Sequence, residues 1–316
     1  MKRLTLIGLF IIGFLINGFS SELLVDIIKF ASIEKANELL TEEDDFTESW
    51  SPFDIDSRVQ KKYSTKKELF DIIKKQTREW TLEEQNKVVS IFRSIDKQIE
   101  SQGFKLIFPK EIYLLKTTAN EEGGAEGYTR ASYIVLKDDI LSKSKDRLTK
   151  TIAHELFHIL ARNNPKFREE MYQIIGFKLI DDVAYPESLR AYRITNPDAP
   201  QVDSYISINV DGQQKDCMMI LYSKQGYNGG SFFKYLNTGF LSLIGDSTKS
   251  IEYINNKPVI FSFKEVTGFF EQVGKNTRYI IHPEEILAEN FAFAIINKSD
   301  LPDQEIVDKI KKKIRK

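Results

Sequence analysis

Between Glu22 and Gln102, apolar residues recur at three- and four-residue spacing in "SELLVDIIKFASIEKANELL" and again in "TLEEQNKVVSIFRSIDKQIE", which predicts a mostly helical opening region. The stretch between them, "TEEDDFTESWSPFDIDS", is acidic and carries Pro52, and it reads as a solvated loop. Its oxygens lack the spacing of a calcium loop. The period then shortens: "FKLIFPKEIYLLKTT" and "ASYIVLKDDIL" read as strands, separated by the glycine-rich "NEEGGAEGYTR". That turn lacks the lysine and following helix of a phosphate loop and is expected to be a flexible hairpin connection. Helical spacing returns from Ser144, a suitable N-cap, through Leu160, with Asn163, Asn164 and Pro165 as its stop, and again in "KFREEMYQIIGF". From Asp182 to Arg278 short β-type runs ("SYISINV", "CMMILYS", "GFLSLIG", "KPVIFSFKEV") alternate with turn residues, which marks a β-rich insertion. The chain closes on "HPEEILAENFAFAIIN", a helix with Pro283 at its first position, and on "KIKKKIRK", a solvated helix end. The predicted class is α+β: a helical part at 21–102, then a domain at 103–316 with the insertion at about 182–278.

The first residues change the picture of where the chain works. "MKRLTLIGLFIIGFLINGFSSE" has the order of a secretory signal: Lys2 and Arg3, an apolar run from Leu4 to Ile16, then small residues. Cleavage near Ser20 is expected, giving a secreted or periplasmic protein with no stable membrane association. It would also move the net charge from -1 to -1 - 2 = -3. With 41% hydrophobic and 29% charged residues and no basic patch, nothing asks for a nucleic-acid partner. Cys217, the lone cysteine, cannot form an internal disulfide and excludes a cysteine-rich zinc site; in an apolar run it is expected to be a buried structural thiol.

Candidate chemistry sits in "TIAHELFHILARNNP". Residues four apart on a helix point the same way, so His154 and His158 can offer imidazole nitrogens to one zinc ion, with Glu155 placed to take a proton from an activated water. Ile152, Leu156, Phe157, Ile159 and Leu160 make the helix apolar around most of its circumference, a costly setting for polar groups unless they are paired or bound to metal. Catalytic zinc needs a third protein ligand. None follows closely, so it must be distant. Glu285 and Glu289 in "HPEEILAENFAF" are four apart on one face beside small Ala288 and Ala292; one can bind zinc while the other orients a ligand histidine. Either assignment of the two roles is open on spacing alone. Glu284, right after an N1 proline, complements the helix dipole.

At these residues the chain resembles the gluzincin metallopeptidases, the group that includes thermolysin and neprilysin, where HExxH is followed downstream by ExxxD on a second helix. "EILAEN" is similar to the "ExxADN" of the neprilysin branch. The resemblance implies a zincin-like fold, Glu285 as third ligand, and Glu289 in the place of the aspartate behind a ligand histidine. It also gives the strand "RASYIVL" the part of an edge strand that pairs with extended substrate. His282 is a candidate for stabilising the oxyanion or binding a substrate carboxylate, or else a helix-capping histidine; Tyr279, Tyr185 and Arg278 are other candidate oxyanion donors. The function expected is an exported zinc peptidase acting on a peptide or protein; the competing expectation is a secreted binding or structural protein on the same scaffold.

Overall fold

The computed structural model describes residues 23–181, 183–246 and 248–315, and the leader expected at Met1–Ser20 lies outside them. The first helical run is interrupted: α1 (Leu24–Ile27) gives way to a strand, β1 (Ile28–Phe30), before Ser32 caps a new helix, α2 (Ile33–Thr41). Apolar spacing over so few residues fits either period, and pairing decides. Ile28 stands beside Ile112 in parallel register with β2 (Ile112–Thr117), so the N-terminal region contributes a strand to the sheet that follows.

The acidic stretch is not a loop. It forms α3 (Asp45–Glu48) and α4 (Pro52–Val59), each opened by a reciprocal cap in which Asp44 or Ser51 exchanges hydrogen bonds with the residue three on. The same device opens α5 (Lys66–Gln76) and α6 (Leu82–Ser101) from Thr65 and Thr81. The acids of this stretch are ordered by cations, one within α4 itself and one from the sheet that follows. Asp54 is buried against Arg58 Nη1 at 2.6 Å, Arg58 Nη2 reaches Glu122 at 2.7 Å, and Arg130 Nη2 reaches Asp44 at 2.9 Å.

The first sheet has the order β1-β2-β4-β3, with β3 (Gly127–Arg130) running antiparallel to β4 (Tyr133–Lys137) and the rest parallel. Two expectations are corrected here. Strand β3 falls inside the glycine-rich turn, and it, rather than "RASYIVL", is the free edge; β4 lies between β2 and β3, with Ile134, Val135 and Leu136 fully buried. Gly123 in that turn is required by packing: a Cβ there would come within 2.6–2.8 Å of the Phe232 and Phe233 rings.

Helix α7 (Lys145–Asn163) starts at Ser144, whose hydroxyl accepts from Arg147 N–H, and packs beneath the sheet. Helix α8 (Pro165–Ile174) follows directly, and β5 (Phe177–Leu179) leads into a second, antiparallel sheet built on β6 (Ser204–Val210), β7 (Gln213–Tyr222) and β8 (Asn237–Ile244). Cys217 is buried at its centre, where burial pushes the thiol up to about 12. Two single-turn helices, α9 (Glu187–Arg190) and α10 (Phe270–Val273), flank this sheet, and α11 (Pro283–Ile295) returns to pack along α7. Helix α12 (Gln304–Ile314) closes the core with Ile306, Val307, Ile310 and Ile314. The fold is α+β, and among the described residues no helix is long and apolar enough to cross a membrane.

Removing one partner of a buried ion cluster leaves the others desolvated and unpaired. Arg58→Ala is therefore expected to cost about 3–5 kcal/mol in urea unfolding, whereas truncating the exposed Lys67 of the Lys67–Asp71 pair should leave the unfolding midpoint unchanged.

Candidate metal centre

The two helices that carry the candidate residues meet along their lengths. Fully buried Ala288 and Ala292 keep part of the α11 surface flat, and nearly every α11 residue is inside the molecule, Glu284 and Glu285 included. His282 caps α11 by accepting Glu284 N–H at Nδ1, with Pro283 at the first position.

In the seam, Glu285 Oε2 lies 3.1 Å from His154 Nε2 and 3.7 Å from His158 Nε2. A tetrahedral site with bonds of about 2.1 Å has ligand-to-ligand edges of about 3.4 Å, and the two distances bracket that value. One ligand atom from each of His154, His158 and Glu285 lies within 4.8 Å of the others. The His158 side chain is fully buried, yet neither ring nitrogen completes a hydrogen bond. A buried imidazole that faces a carboxylate and a second imidazole without completing a hydrogen bond is a residue that could hold a metal.

Each imidazole is backed by a second carboxylate. Glu289 Oε1 is 3.3 Å from His154 Nδ1, and Glu284 Oε1 is 3.5 Å from His158 Nδ1. Lys150 holds the other oxygen of Glu289 at 2.7 Å and Tyr172 donates to the other oxygen of Glu284 at 2.6 Å. Burial works against charge on His154, but the Glu285 and Glu289 carboxylates outweigh it and hold the ring's pKa well above the usual imidazole range. Glu285 itself is resisted by burial yet drawn down to about 2 by His158 and His154. Glu285 thus faces both Nε2 atoms, and Glu289 stands behind His154.

Glu155 points to the other side of the seam. Its Oε2 accepts from the Thr129 hydroxyl at 2.8 Å, and its Oε1 lies where a Cβ on Gly127 would come within 2.7 Å. Burial, with the Asp198 carboxylate adding to it, pushes Glu155 up to about 7, which suits a general base near neutrality. His154, Glu155, Glu285 and Glu289 line a cleft of about 470 Å³ together with Gly127, Arg147, Asp198, Phe233 and Tyr279.

The other candidates divide. Tyr279 lines the cleft, its ring 6.3 Å from that of His154. His282 does not: its ring is spent on the α11 cap, lines a separate small cavity with Tyr185 and Arg193, and is held down to about 4 by burial, so it is neutral. Tyr185 donates to Leu221 O in that region, and Arg278 is exposed outside the cleft. Sequence reasoning missed Glu284 as the support of His158, because an acid in a first turn already has an explanation in the helix dipole. It also missed Asn196, whose Nδ2 donates to Glu285 Oε1 at 2.6 Å, and Asp198; "ITNPDAP" shows no periodicity, and only the fold brings it here. No protein-family profile, curated protein or solved structure matches the chain.

A metal held at these residues would be lost in a set order. In chelator competition, Glu285→Ala is expected to abolish stoichiometric zinc binding, while Glu289→Ala and Asn196→Ala, which remove only a support, weaken it about 10- to 100-fold.

Proposed function

We propose that the chain is an exported zinc-dependent metallopeptidase of zincin-like fold, similar to the gluzincins, that hydrolyses peptide bonds. The observation that carries this reading is the convergence of His154 Nε2, His158 Nε2 and Glu285 Oε2, with the unpartnered His158 ring at its centre. Zinc held by these three residues would supply a Lewis acid for the scissile carbonyl oxygen and would lower the pKa of water. Glu155, steadied by Thr129, takes the proton of the attacking water and delivers it to the leaving nitrogen. The Tyr279 phenol, on the cleft wall beside His154, is the donor available to the oxyanion. Glu289 fills the place of the gluzincin aspartate: one methylene longer, it reaches His154 Nδ1 at 3.3 Å while Lys150 fixes its other oxygen.

The test compares wild type with Glu155→Gln. Both should bind one zinc per chain, and peptide hydrolysis should fall at least about 100-fold in the variant, the scale of a lost general base. Zinc binding with cleavage that ignores Glu155 would sink the peptidase reading. A second variant probes position rather than chemistry. The Cβ of Gly127→Ala would meet Glu155 Oε1 at 2.7 Å, so the carboxylate must shift; kcat is expected to drop roughly 100-fold with zinc stoichiometry unchanged.

A further inference from the structure

Taking the site as a peptidase, the free edge of the first sheet decides which part of a peptide can reach it. Lys137 N–H donates to Glu126 O at 3.1 Å, and Tyr128 stands opposite Val135. In an antiparallel pair this parity turns the amide groups of Glu126, Tyr128 and Arg130 toward β4 and those of Gly127 and Thr129 outward. Both outward groups of Thr129 are taken by the chain itself. Its N–H donates to Asp198 Oδ1 at 2.6 Å, and its carbonyl accepts from Arg162 Nη1 at 3.4 Å. Arg162 Nη2 also donates to the carbonyls of Pro197 and Asp198, and Asn196 Oδ1 accepts Asp198 N–H, so the segment is clamped onto the edge. Gly127, against Glu155, is the residue of β3 left to pair with an extended peptide.

Such a peptide meets Asp198 two residues along β3 from Gly127, roughly 7 Å away. The closed end is acidic. A carboxylate oxygen of Asp198 lies within 4.8 Å of the Glu155 carboxylate and of a ring nitrogen of His158, the buried ring without a partner. Arg162, the neighbouring cation, directs its donors at backbone carbonyls rather than at these carboxylates. A C-terminal carboxylate entering this end brings only further acceptors to these carboxyl oxygens, whereas an N-terminal ammonium brings donors to them. A peptide with its N-terminus there runs antiparallel to β3, so ladder geometry and donor placement agree.

We infer that the substrate is a peptide with a free N-terminus, that the Asp198 carboxylate receives its α-ammonium, and that the chain removes residues from that end as an aminopeptidase. Water adds across the first peptide bond: the C–N bond breaks, the hydroxyl stays on the carbonyl carbon of the released residue, and the proton reaches the new amine through Glu155. A small recess beside Gly127 and Asp198 has one wall of Ile194, Leu221, Phe232, Leu236 and Ile281, with the paired Arg58 and Glu122 on its rim, and that apolar wall suits an aliphatic first side chain.

The experiment has a binding arm and a product arm. In calorimetry on zinc-loaded Glu155→Gln protein, L-leucinamide should bind about 10- to 100-fold tighter than N-acetyl-L-leucinamide, as one charge-assisted hydrogen bond provides. Adding Asp198→Asn, which keeps an acceptor for Thr129 N–H, should shrink that preference to within about 3-fold with zinc stoichiometry unchanged. Wild type should shorten an N-terminally free decapeptide stepwise by mass spectrometry and spare its N-acetylated form. Equal binding of the two amides, or internal cleavage of the acetylated peptide, overturns the amine anchor and leaves the peptidase reading standing. Bound zinc with neither peptide cut overturns both.

Discussion

Two imidazoles and three carboxylates meet in the seam between α7 and α11, His158, Glu284 and Glu285 buried and His154 and Glu289 at the cleft wall, and the surrounding structure is arranged to compensate them. Such a cluster is tolerable in an apolar interior only if each group is paired in fixed geometry. Each carboxylate meets that demand by dividing its oxygens. Glu284, Glu285 and Glu289 each turn one oxygen to an imidazole and give the other to an anchor: Tyr172 on α8, Asn196 in the insertion and Lys150 on α7. The anchors come from three separate parts of the chain, so the carboxylates cannot rotate independently of the fold. The imidazoles inherit that rigidity, which is what a group of residues that could hold a metal requires of its supports.

A second buried cluster carries the constraint outward. Asp54 accepts from Arg58 and also from Thr195 N–H and Oγ1, while Arg58 reaches both Glu122 and Thr195 O. The helical N-terminal region, the turn before β3 and the insertion therefore converge on one segment, Thr195–Asp198. An ion cluster of this kind adds little net stability compared with apolar packing, because desolvation offsets most of the attraction. Its value lies in register: it permits one position for the residues that follow, and those residues are Asn196 and Asp198.

What the sequence reveals, and what it hides, follows from the range of the interactions. His154, His158 and Glu155 were legible because a helix fixes the relation between residues four apart, and Glu285 with Glu289 for the same reason. Helix starts at Ser144 and Pro283 were legible because capping is local. The strand at Ile28–Phe30 was not, since pairing with Ile112 and its neighbours overrides a helical period. Nor was the order of the acidic stretch, where Asp44 is met by Arg130 and Asp54 by Thr195 only after folding. The edge strand was misassigned for a related reason. A four-residue strand rich in turn formers, Gly127–Arg130, carries too little pattern to compete with the apolar run beside it, although the apolar run is the buried one.

The insertion between the histidine helix and the glutamate helix is part of the site rather than an ornament on it. Ile194 N–H donates to Leu221 O and Ser223 N–H to Tyr192 O, which fastens the chain just before Asn196 to the end of β7, a central strand of the second sheet. On its other side the same segment is held by Asp54 and by Arg162. A loop clamped from the sheet, from the N-terminal helices and from α7 has little freedom to act as a swinging lid, because opening would break several buried hydrogen bonds together. The closure it imposes on the edge strand is therefore a fixed feature of the cleft.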